Sequence, residues 1–340
     1  MGRDKKRIGI LSAGGDCPGI NAAIRGVGKT AIVKYGMEVV GIANGFSGLM
    51  NMEATPMEEK ALSGIITVGG TILGTSRFKP FKVEEGETDN KPQIIKENYD
   101  KLGLDALVCI GGNGTQKTAN LLSKEGLNVI GIPKTIDNDV YGTDVTFGFD
   151  SAVDIATEAI DRLHTTANSH KRVMVIELMG HNAGWITLHS GIAAGGDVIL
   201  LPELDFNLDN VCNCLMERSK VGKPYSIVVV AEGIEKPKKK SAASYIGKKI
   251  QKMTGMETRE TILGYIQRGG TPSPQDRILA TRYGAYAAEL IYRGEYGTMV
   301  SLKNDVITSV PLEEVGGKLR LVNPDHYLID QGRSMGVCFG

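Results

Sequence analysis

Residues 106–139 read ALVCIGGNGTQKTANLLSKEGLNVIGIPKTIDND. Two short apolar runs, Ala106–Ile110 and Val129–Ile132, flank an amphipathic stretch, Gln116–Lys124. Apolar runs this short, bounded by glycine, are expected of strands buried on both faces. Strand, helix and strand in that order predict parallel pairing through a right-handed crossover. Each strand then runs into a polar segment, Gly111-Gly112-Asn113-Gly114-Thr115 after the first and Pro133–Asp139 after the second. Ligands of parallel sheets bind at these carboxyl ends.

The pattern continues on both sides. Further strands are predicted at Arg7–Leu11, Glu38–Ile42, Val173–Leu178, Val198–Leu201 and Tyr225–Val230, and helices at Asn21–Lys34 and Ser151–Thr165. In the last of these, Ile155, Ala159, Ile160 and Leu163 share one helical face. Gly14-Gly15-Asp16 follows the first strand and Met179-Gly180 follows Val173–Leu178. The reading is an α/β protein with mostly parallel sheets.

Composition narrows the function. The 340 residues hold 39 Lys plus Arg and 39 Asp plus Glu. That balance leaves no electrostatic footprint for nucleic acid or an anionic membrane. No apolar run approaches the roughly 20 residues of a membrane span. The start, MGRDKKRIGIL, is basic but enters a strand-like run, so no secretory signal is expected. Five scattered cysteines without a CxxC pair point away from zinc and disulfide frameworks and toward reduced thiols in a cytoplasmic protein. Glycine is abundant, 44 residues, or about 13% against a typical ~7%. Without low-complexity tracts, this implies tight turns and close backbone approaches, as in a protein that cradles phosphates.

Four features carry chemistry, each with a structural alternative. Gly14–Gly26, GGDCPGINAAIRG, lets backbone approach a ligand at a helix N-terminus, but fits neither GxxxxGK[ST] nor GxGxxG. Gly111–Thr115 clears side chains from a space for a bulky anion; otherwise it is a turn with an N-cap at Thr115. Pro133–Asp139 sets Lys134, Asp137 and Asp139 just beyond a strand. The aspartates suit a metal anchor or a general base, and the lysine suits transferring phosphate. The alternative is an Asx-rich turn. Arg77, Arg172, Arg259 and Arg268 lie near glycine-rich or polar turns, as phosphate clamps or as surface ion pairs. The run Glu235–Lys240 (EKPKKK) reads as a solvated loop.

The ordered set GGDCPGINAAIRG, GGTILGTSRF, GGNGTQKTAN, PKTIDND, SHKRVMVIELMGHNAGW and ETRETILGYIQRGGTPSPQDR resembles the 6-phosphofructokinase family from about Arg7 to Gly294. The resemblance implies two Rossmann-like three-layer α/β domains with the active site in the cleft between them. Residues 1–148 with 267–317 would bind the phosphoryl donor, and 149–266 with 318–340 fructose 6-phosphate. It implies glycolytic phosphoryl transfer to the sugar's 1-hydroxyl, Mg²⁺ as cofactor, and a homodimer or homotetramer whose substrate site is shared across subunits. By position, Asp137 resembles the general base, Asp139 its partner at the metal-phosphate centre, and Thr135, with Lys134 beside it, the residue near the transferring phosphate. Thr135, Ile136, Asp137, Met179, Gly180, His181, Glu232, Tyr265, Ile266, Gln267 and Arg268 match the sugar site. Arg172 and Arg259 match arginines reaching the 6-phosphate from a neighbouring subunit. Gly14, Arg77, Phe78, Gly112, Asn113, Gly114 and Thr115 match the donor site, with Asn113 at the metal position.

The sequence departs from the family pattern at named positions. Asn113 stands where aspartate is frequent, and neutral amide oxygen is the poorer Mg²⁺ ligand. Gly114 leaves room for the α-phosphate of ATP, where pyrophosphate-dependent members usually carry aspartate. Lys134 instead matches the pyrophosphate branch. The pair resembles the mixed group whose glycine–lysine members generally use ATP, and steric exclusion is the harder constraint, so ATP is the expected donor. His181 replaces a frequent arginine; a neutral imidazole weakens a phosphate contact there and a protonated one retains it, the alternative being that His181 only packs the sugar pocket. Tyr265 replaces a frequent histidine. At the bacterial effector pocket Arg25 and Lys29 match basic residues, Lys223 is a candidate for another, and His164 replaces an arginine, implying a weakened or absent nucleotide effector site. The alternatives are a pyrophosphate-dependent enzyme, a related NAD or lipid kinase, and a non-catalytic sugar-phosphate sensor.

Overall fold

A computed structural model describes residues 5–82 and 90–340; the first four residues of the basic N-terminal run lie outside them. Its strands, in chain order, are β1 Arg7–Ser12, β2 Glu38–Ile42, β3 Ala54–Pro56, β4 Ala106–Gly111, β5 Val129–Pro133, β6 Val173–Leu178, β7 Val198–Leu200, β8 Ser226–Ala231, β9 Thr258–Ile262, β10 Thr298–Lys303 and β11 Val306–Pro311. They form a seven-stranded and a four-stranded sheet. The chain divides into two compact units, Met1–Thr135 with Asp139–Asp150 and Arg268–Leu319, and Ile136–Asn138 with Ser151–Gln267 and Arg320–Gly340.

The first unit holds the larger sheet, in the order β11-β10-β5-β4-β1-β2-β3. The five inner strands are parallel, and the edge strands β3 and β11 are antiparallel to their neighbours. Every residue of β4 and β5 is buried, as the apolar runs required. Register follows the apolar faces, with Ile10 opposite Val108 and Leu107 opposite Val129. The chain leaves β1 toward β2 on one side and β4 toward β5 on the other. The two neighbours β1 and β4 therefore flank a topological switch point, where a crevice opens at the strand ends.

Helix Ile20–Lys29, which follows the Gly14-Gly15 turn, packs against helix Pro274–Arg293. A Cβ at Gly284 would stand 2.5 Å from the Ala23 carbonyl oxygen and 2.6 Å from the Val27 nitrogen. Backbone meets backbone there, and only glycine fits. The expected helix Asn21–Lys34 stops at Lys29 and continues as a π-helical turn, Thr30–Lys34. The β-branched Thr30, Ile32 and Val33 crowd a regular helix.

The second unit holds a parallel sheet in the order β7-β8-β6-β9. β6 and β8 are wholly buried, and Val173, Val175, Val228 and Val230 pack with Ile246 and Ile250 of helix Ala242–Thr254. Leu178 pairs with Ala231 and Glu177 with Ile262, so the carboxyl ends of β6, β8 and β9 lie level. Helices Asn113–Lys124 and Phe149–His170 each begin earlier than their spacing predicts, Phe149–His170 also ends later, and β8 begins one residue later. All five cysteines are free thiols.

Candidate active site

In the first unit, the loops after β1, β4 and β5 are fastened to one another. The Gly14 N–H donates to the Ser76 carbonyl at 2.9 Å, and Thr75 Oγ1 donates to the Gly14 carbonyl at 2.7 Å. This holds Arg77 and Phe78 beside the Gly14 turn. Arg77 is exposed, while Phe78 packs on the core under the Lys91 ammonium. Thr115 Oγ1 donates to the Ala13 carbonyl at 3.3 Å, joining the β4 loop to the β1 loop.

Helix Asn113–Lys124 starts on Gly112, which bears no side-chain cap. The alternative N-cap at Thr115 is thereby replaced: Thr115 lies within the first turn, and its N–H donates to the Gly112 carbonyl at 2.9 Å. An uncapped helix N-terminus presents backbone donors and a partial positive charge, which favours an anion. Its chain neighbours and own helix backbone aside, a Cβ at Gly114 would meet no atom of the described residues within 4 Å. Space is therefore open over the first turn.

The segment after β5 is mostly buried. Lys134 is 3% exposed and donates through Nζ to the Gly15 carbonyl. The Thr135 carbonyl accepts from Thr146 Oγ1 at 2.8 Å. Ile136 and Asn138 are buried, Asp139 is 8% exposed, and Asp137 is half-buried. Asn113 Nδ2 donates to the Asp139 carbonyl at 3.0 Å, leaving Asn113 Oδ1 buried without a hydrogen-bond partner. Arg268 belongs to the first unit, where its guanidinium lies against Gly15 and donates to the Asp16 carbonyl at 3.3 Å.

In the second unit the predicted sugar-site residues gather at the carboxyl ends of β6, β8 and β9. One oxygen of Glu232 accepts from the Gly180 and His181 N–H groups at 3.1 and 2.7 Å. The Met179 N–H donates to Gln267 Oε1 at 2.8 Å, and Gln267 is fully buried. His181 has φ 54°, a left-handed conformation that a non-glycine residue holds only when its surroundings impose it. Tyr265 and Ile266 are 74% and 67% exposed.

Arg172 and Arg259 are brought to each other, not to that group. Arg259 pairs with Met174 at the amino-terminal end of β6, and Arg172 immediately precedes that strand. Both guanidiniums bind Glu257, Arg172 at 2.8 Å. They hold its carboxyl below the usual range, with the Arg172 hydrogen bond the main cause. Six strand residues, about 20 Å of β6, separate them from Gly180. His164 is occupied within the chain, its ring nitrogens facing the Tyr225 hydroxyl at 3.1 Å and the Ala194 carbonyl at 2.7 Å.

Some contacts lay beyond sequence reading. The Gly15 and Asp16 carbonyls, targets of Lys134 and Arg268, show nothing in their residue types. Arg320, in the unremarked stretch KLRLVNP, donates to the Asn138 carbonyl at 3.1 Å. Only the neighbouring Trp185, the single tryptophan, stood inside a quoted motif.

A glycine-started helix over open space at a switch point, with Asp139 bound to its first residue, is built for phosphoryl groups, and the class it defines is the sugar- or nucleotide-handling phosphotransferases. The chain belongs to the phosphofructokinase family: the family model described as phosphofructokinase matches residues 7–291. It is 62% identical to ATP-dependent 6-phosphofructokinase 3 of Bacteroides thetaiotaomicron, over 98% of this chain and 100% of that one. It is 57% identical to the ATP-dependent 6-phosphofructokinase of Spirochaeta thermophila, over 98% of each. Among solved structures, phosphofructokinase from Saccharomyces cerevisiae matches with a TM-score of 0.84 and 32% identity, covering 92% of this chain and 45% of that chain. A pyrophosphate-dependent phosphofructokinase from Marinobacter aquaeolei shares the fold at TM-score 0.85 and 24% identity, covering 98% and 88%.

Proposed function

We propose that the chain is an ATP-dependent 6-phosphofructokinase, a cytoplasmic glycolytic enzyme. It moves the γ-phosphoryl group of ATP to the 1-hydroxyl of fructose 6-phosphate, releasing ADP and fructose 1,6-bisphosphate. The observation that carries the choice of donor is Gly114, where an added Cβ would meet nothing within 4 Å among the described residues beyond its own helix. A nucleotide tail needs that space and pyrophosphate does not. Lys134, the residue favouring pyrophosphate, is engaged with the Gly15 carbonyl.

Residues 1–148 with 267–317 bind the donor through Gly14, Arg77, Phe78 and Gly112–Thr115. Residues 149–266 with 318–340 bind the sugar through Met179, Gly180, His181, Glu232, Tyr265 and Ile266, and Gln267 and Arg268, the next two residues in sequence, are assigned to the same substrate. Asp137 takes the proton from the 1-hydroxyl as that oxygen attacks the γ-phosphorus, and Thr135 and Asp139 orient the reacting groups. Glu232 orients the Gly180–His181 backbone for the sugar. Arg172 and Arg259 serve the site of a second copy, which makes the enzyme a homodimer or homotetramer. Support for that comes from their place at the opposite end of β6 and β9.

Mg²⁺ fits the oxygen donors present. The Asp137 and Asp139 carboxylates and the partnerless Asn113 Oδ1 are hard ligands. No cluster of three or more His, Cys, Asp or Glu side chains suited to a metal occurs among the described residues. Mg²⁺ is commonly held by one or two carboxylates plus substrate phosphates. When bound, the ion neutralises charge on the phosphate oxygens.

The test compares ATP with pyrophosphate at matched Mg²⁺, with fructose 6-phosphate as acceptor. ATP is expected to give the higher kcat/KM; a higher value with pyrophosphate overturns the donor assignment.

A further inference from the structure

Asn138 is the single residue between Asp137 and Asp139, and its backbone is unusual. Its φ is 52°, in the left-handed region. Non-glycine residues are uncommon there, and asparagine is one of the few that enter it. Asn138 is 2% exposed, and its carbonyl accepts from Arg320 Nη1 at 3.1 Å.

Arg320 is itself gripped twice by one residue. Its guanidinium carbon lies 4.0 Å from the Trp185 ring centroid. The Trp185 indole N–H donates to the Arg320 backbone carbonyl at 2.9 Å. Trp185 is 4% exposed, and His326 packs edge-on against it with centroids 5.4 Å apart. Glu203 closes the frame, since Oε1 accepts from the Gly184 N–H at 2.9 Å and the Val322 N–H at 3.0 Å. It thereby ties the residue before Trp185 to the residue two beyond Arg320. An arginine stacked on an aromatic face loses freedom without losing its donors.

We propose that Arg320, aligned by Trp185, is a positioning residue for phosphoryl transfer, holding the Asn138 carbonyl so that the carboxylates on either side keep their directions. The proposal rests on the kinase reading above. Asn113 holds the next carbonyl along, that of Asp139. With two successive carbonyls fixed, both peptide planes that flank Asp139 are held, and Asp137 is joined to the first of them through the left-handed Asn138. Small displacements of a catalytic group cost large factors in rate.

The experiment measures kcat, KM and thermal midpoint of Arg320→Ala, Arg320→Lys, Trp185→Ala and Trp185→Phe. Wild-type turnover with fructose 6-phosphate scores the kinase reading by itself; the variants are then scored as ratios to wild type, with whichever donor it uses. Arg320→Ala and Trp185→Ala are expected to lower kcat about 10- to 100-fold with KM changed less than about threefold. Trp185→Phe keeps a ring face and should stay within about threefold of wild type. Guanidinium ion at low millimolar levels should restore about threefold or more of the lost kcat in Arg320→Ala, which a merely structural role would not allow. In an Asp137→Asn background, Arg320→Ala should cost less than about twofold more, because both act on one step. Arg320→Lys retains a cation and stem where the alanine variant fails to fold, and should lose at least about threefold in kcat because it lacks the planar fork. Unchanged kcat in the arginine variants, a loss in KM alone, or full additivity with Asp137→Asn overturns the proposal.

Discussion

The Asn113 side chain donates to the Asp139 backbone carbonyl at 3.0 Å and keeps its own oxygen buried and without a hydrogen-bond partner. A buried acceptor left unmet costs about 1–3 kcal/mol, so this oxygen is available to a ligand's donor or cation. Asn113→Asp separates the two ends of the amide. A carboxylate is the better Mg²⁺ ligand, so half-saturation by Mg²⁺ should move to lower concentration. It cannot donate to the Asp139 carbonyl, so stability should fall by about 1 kcal/mol, or about 2–4 °C in thermal midpoint without metal. A Mg²⁺ titration of initial rate and a melting curve check both; no change in either removes Asn113 from the site.

Gly114→Asp tests the open space directly. A Cβ meets nothing within 4 Å, so the fold should accept the substitution and the melting midpoint should stay near wild type. The new carboxylate would occupy the nucleotide's path and repel its α-phosphate. Like charges in contact cost several kcal/mol, so kcat/KM for ATP should fall by about 10²-fold or more while use of pyrophosphate is spared. If ATP kinetics survive, the donor lies elsewhere.

Asp137→Asn keeps size and removes the base. The expected loss in kcat is at least about 10²-fold with a modest change in KM, the pattern of an interaction used only in the transition state. Steady-state kinetics decide it, and unchanged turnover takes Asp137 out of the reaction.

Arg172 and Arg259 sit together on Glu257, a strand's length from Gly180. If they serve another copy's substrate, two defective chains should repair each other. Asp137→Asn and Arg172→Ala chains, unfolded and refolded as a mixture, should regain activity that neither shows alone. In a mixed dimer one site receives an intact Asp137 from one chain and an intact Arg172 from the other. Absence of recovery, with mixed oligomers shown to form, places the arginines outside the site.

The legible parts were those where local chemistry and burial agree. β1, β4, β5, β6 and β8 are nearly continuous aliphatic runs because both faces are covered. β9, Thr258–Ile262, escaped notice because it is a polar edge strand with every residue at least partly exposed. The β10–β11 hairpin also escaped, although Asn304-Asp305, with φ 47° and 66°, is a turn signal between alternating residues. The site divides the same way. Glycine loops at strand ends were readable from sequence, whereas the bond from Lys134 to a carbonyl 119 positions away was not. Residue type says that a lysine will seek an acceptor; only the fold says which carbonyl it reaches.

Cys17 offers a test of how the first loop is packed. Its thiol donates to the Phe147 carbonyl at 3.7 Å and is fully buried. Burial pushes its pKa up to about 12; Asp276 and Asp16 add to the rise, while Lys134 and Arg268 oppose it. In the unfolded chain the thiol ionises near its usual value of 9.0. Between that pH and about 12 the folded protein therefore binds more protons than the unfolded one. Stability from this group is complete below the lower value and is lost as pH rises through the window. Melting midpoints from pH 8 upward should fall more steeply for wild type than for Cys17→Ala, even though alanine starts lower. Below the window, iodoacetamide should modify half-exposed Cys214 and spare Cys17, read by mass spectrometry of the folded protein. Parallel melting curves and early alkylation of Cys17 would mean that the Gly14–Gly19 turn is open to water, and with it the seat assigned to the phosphoryl donor.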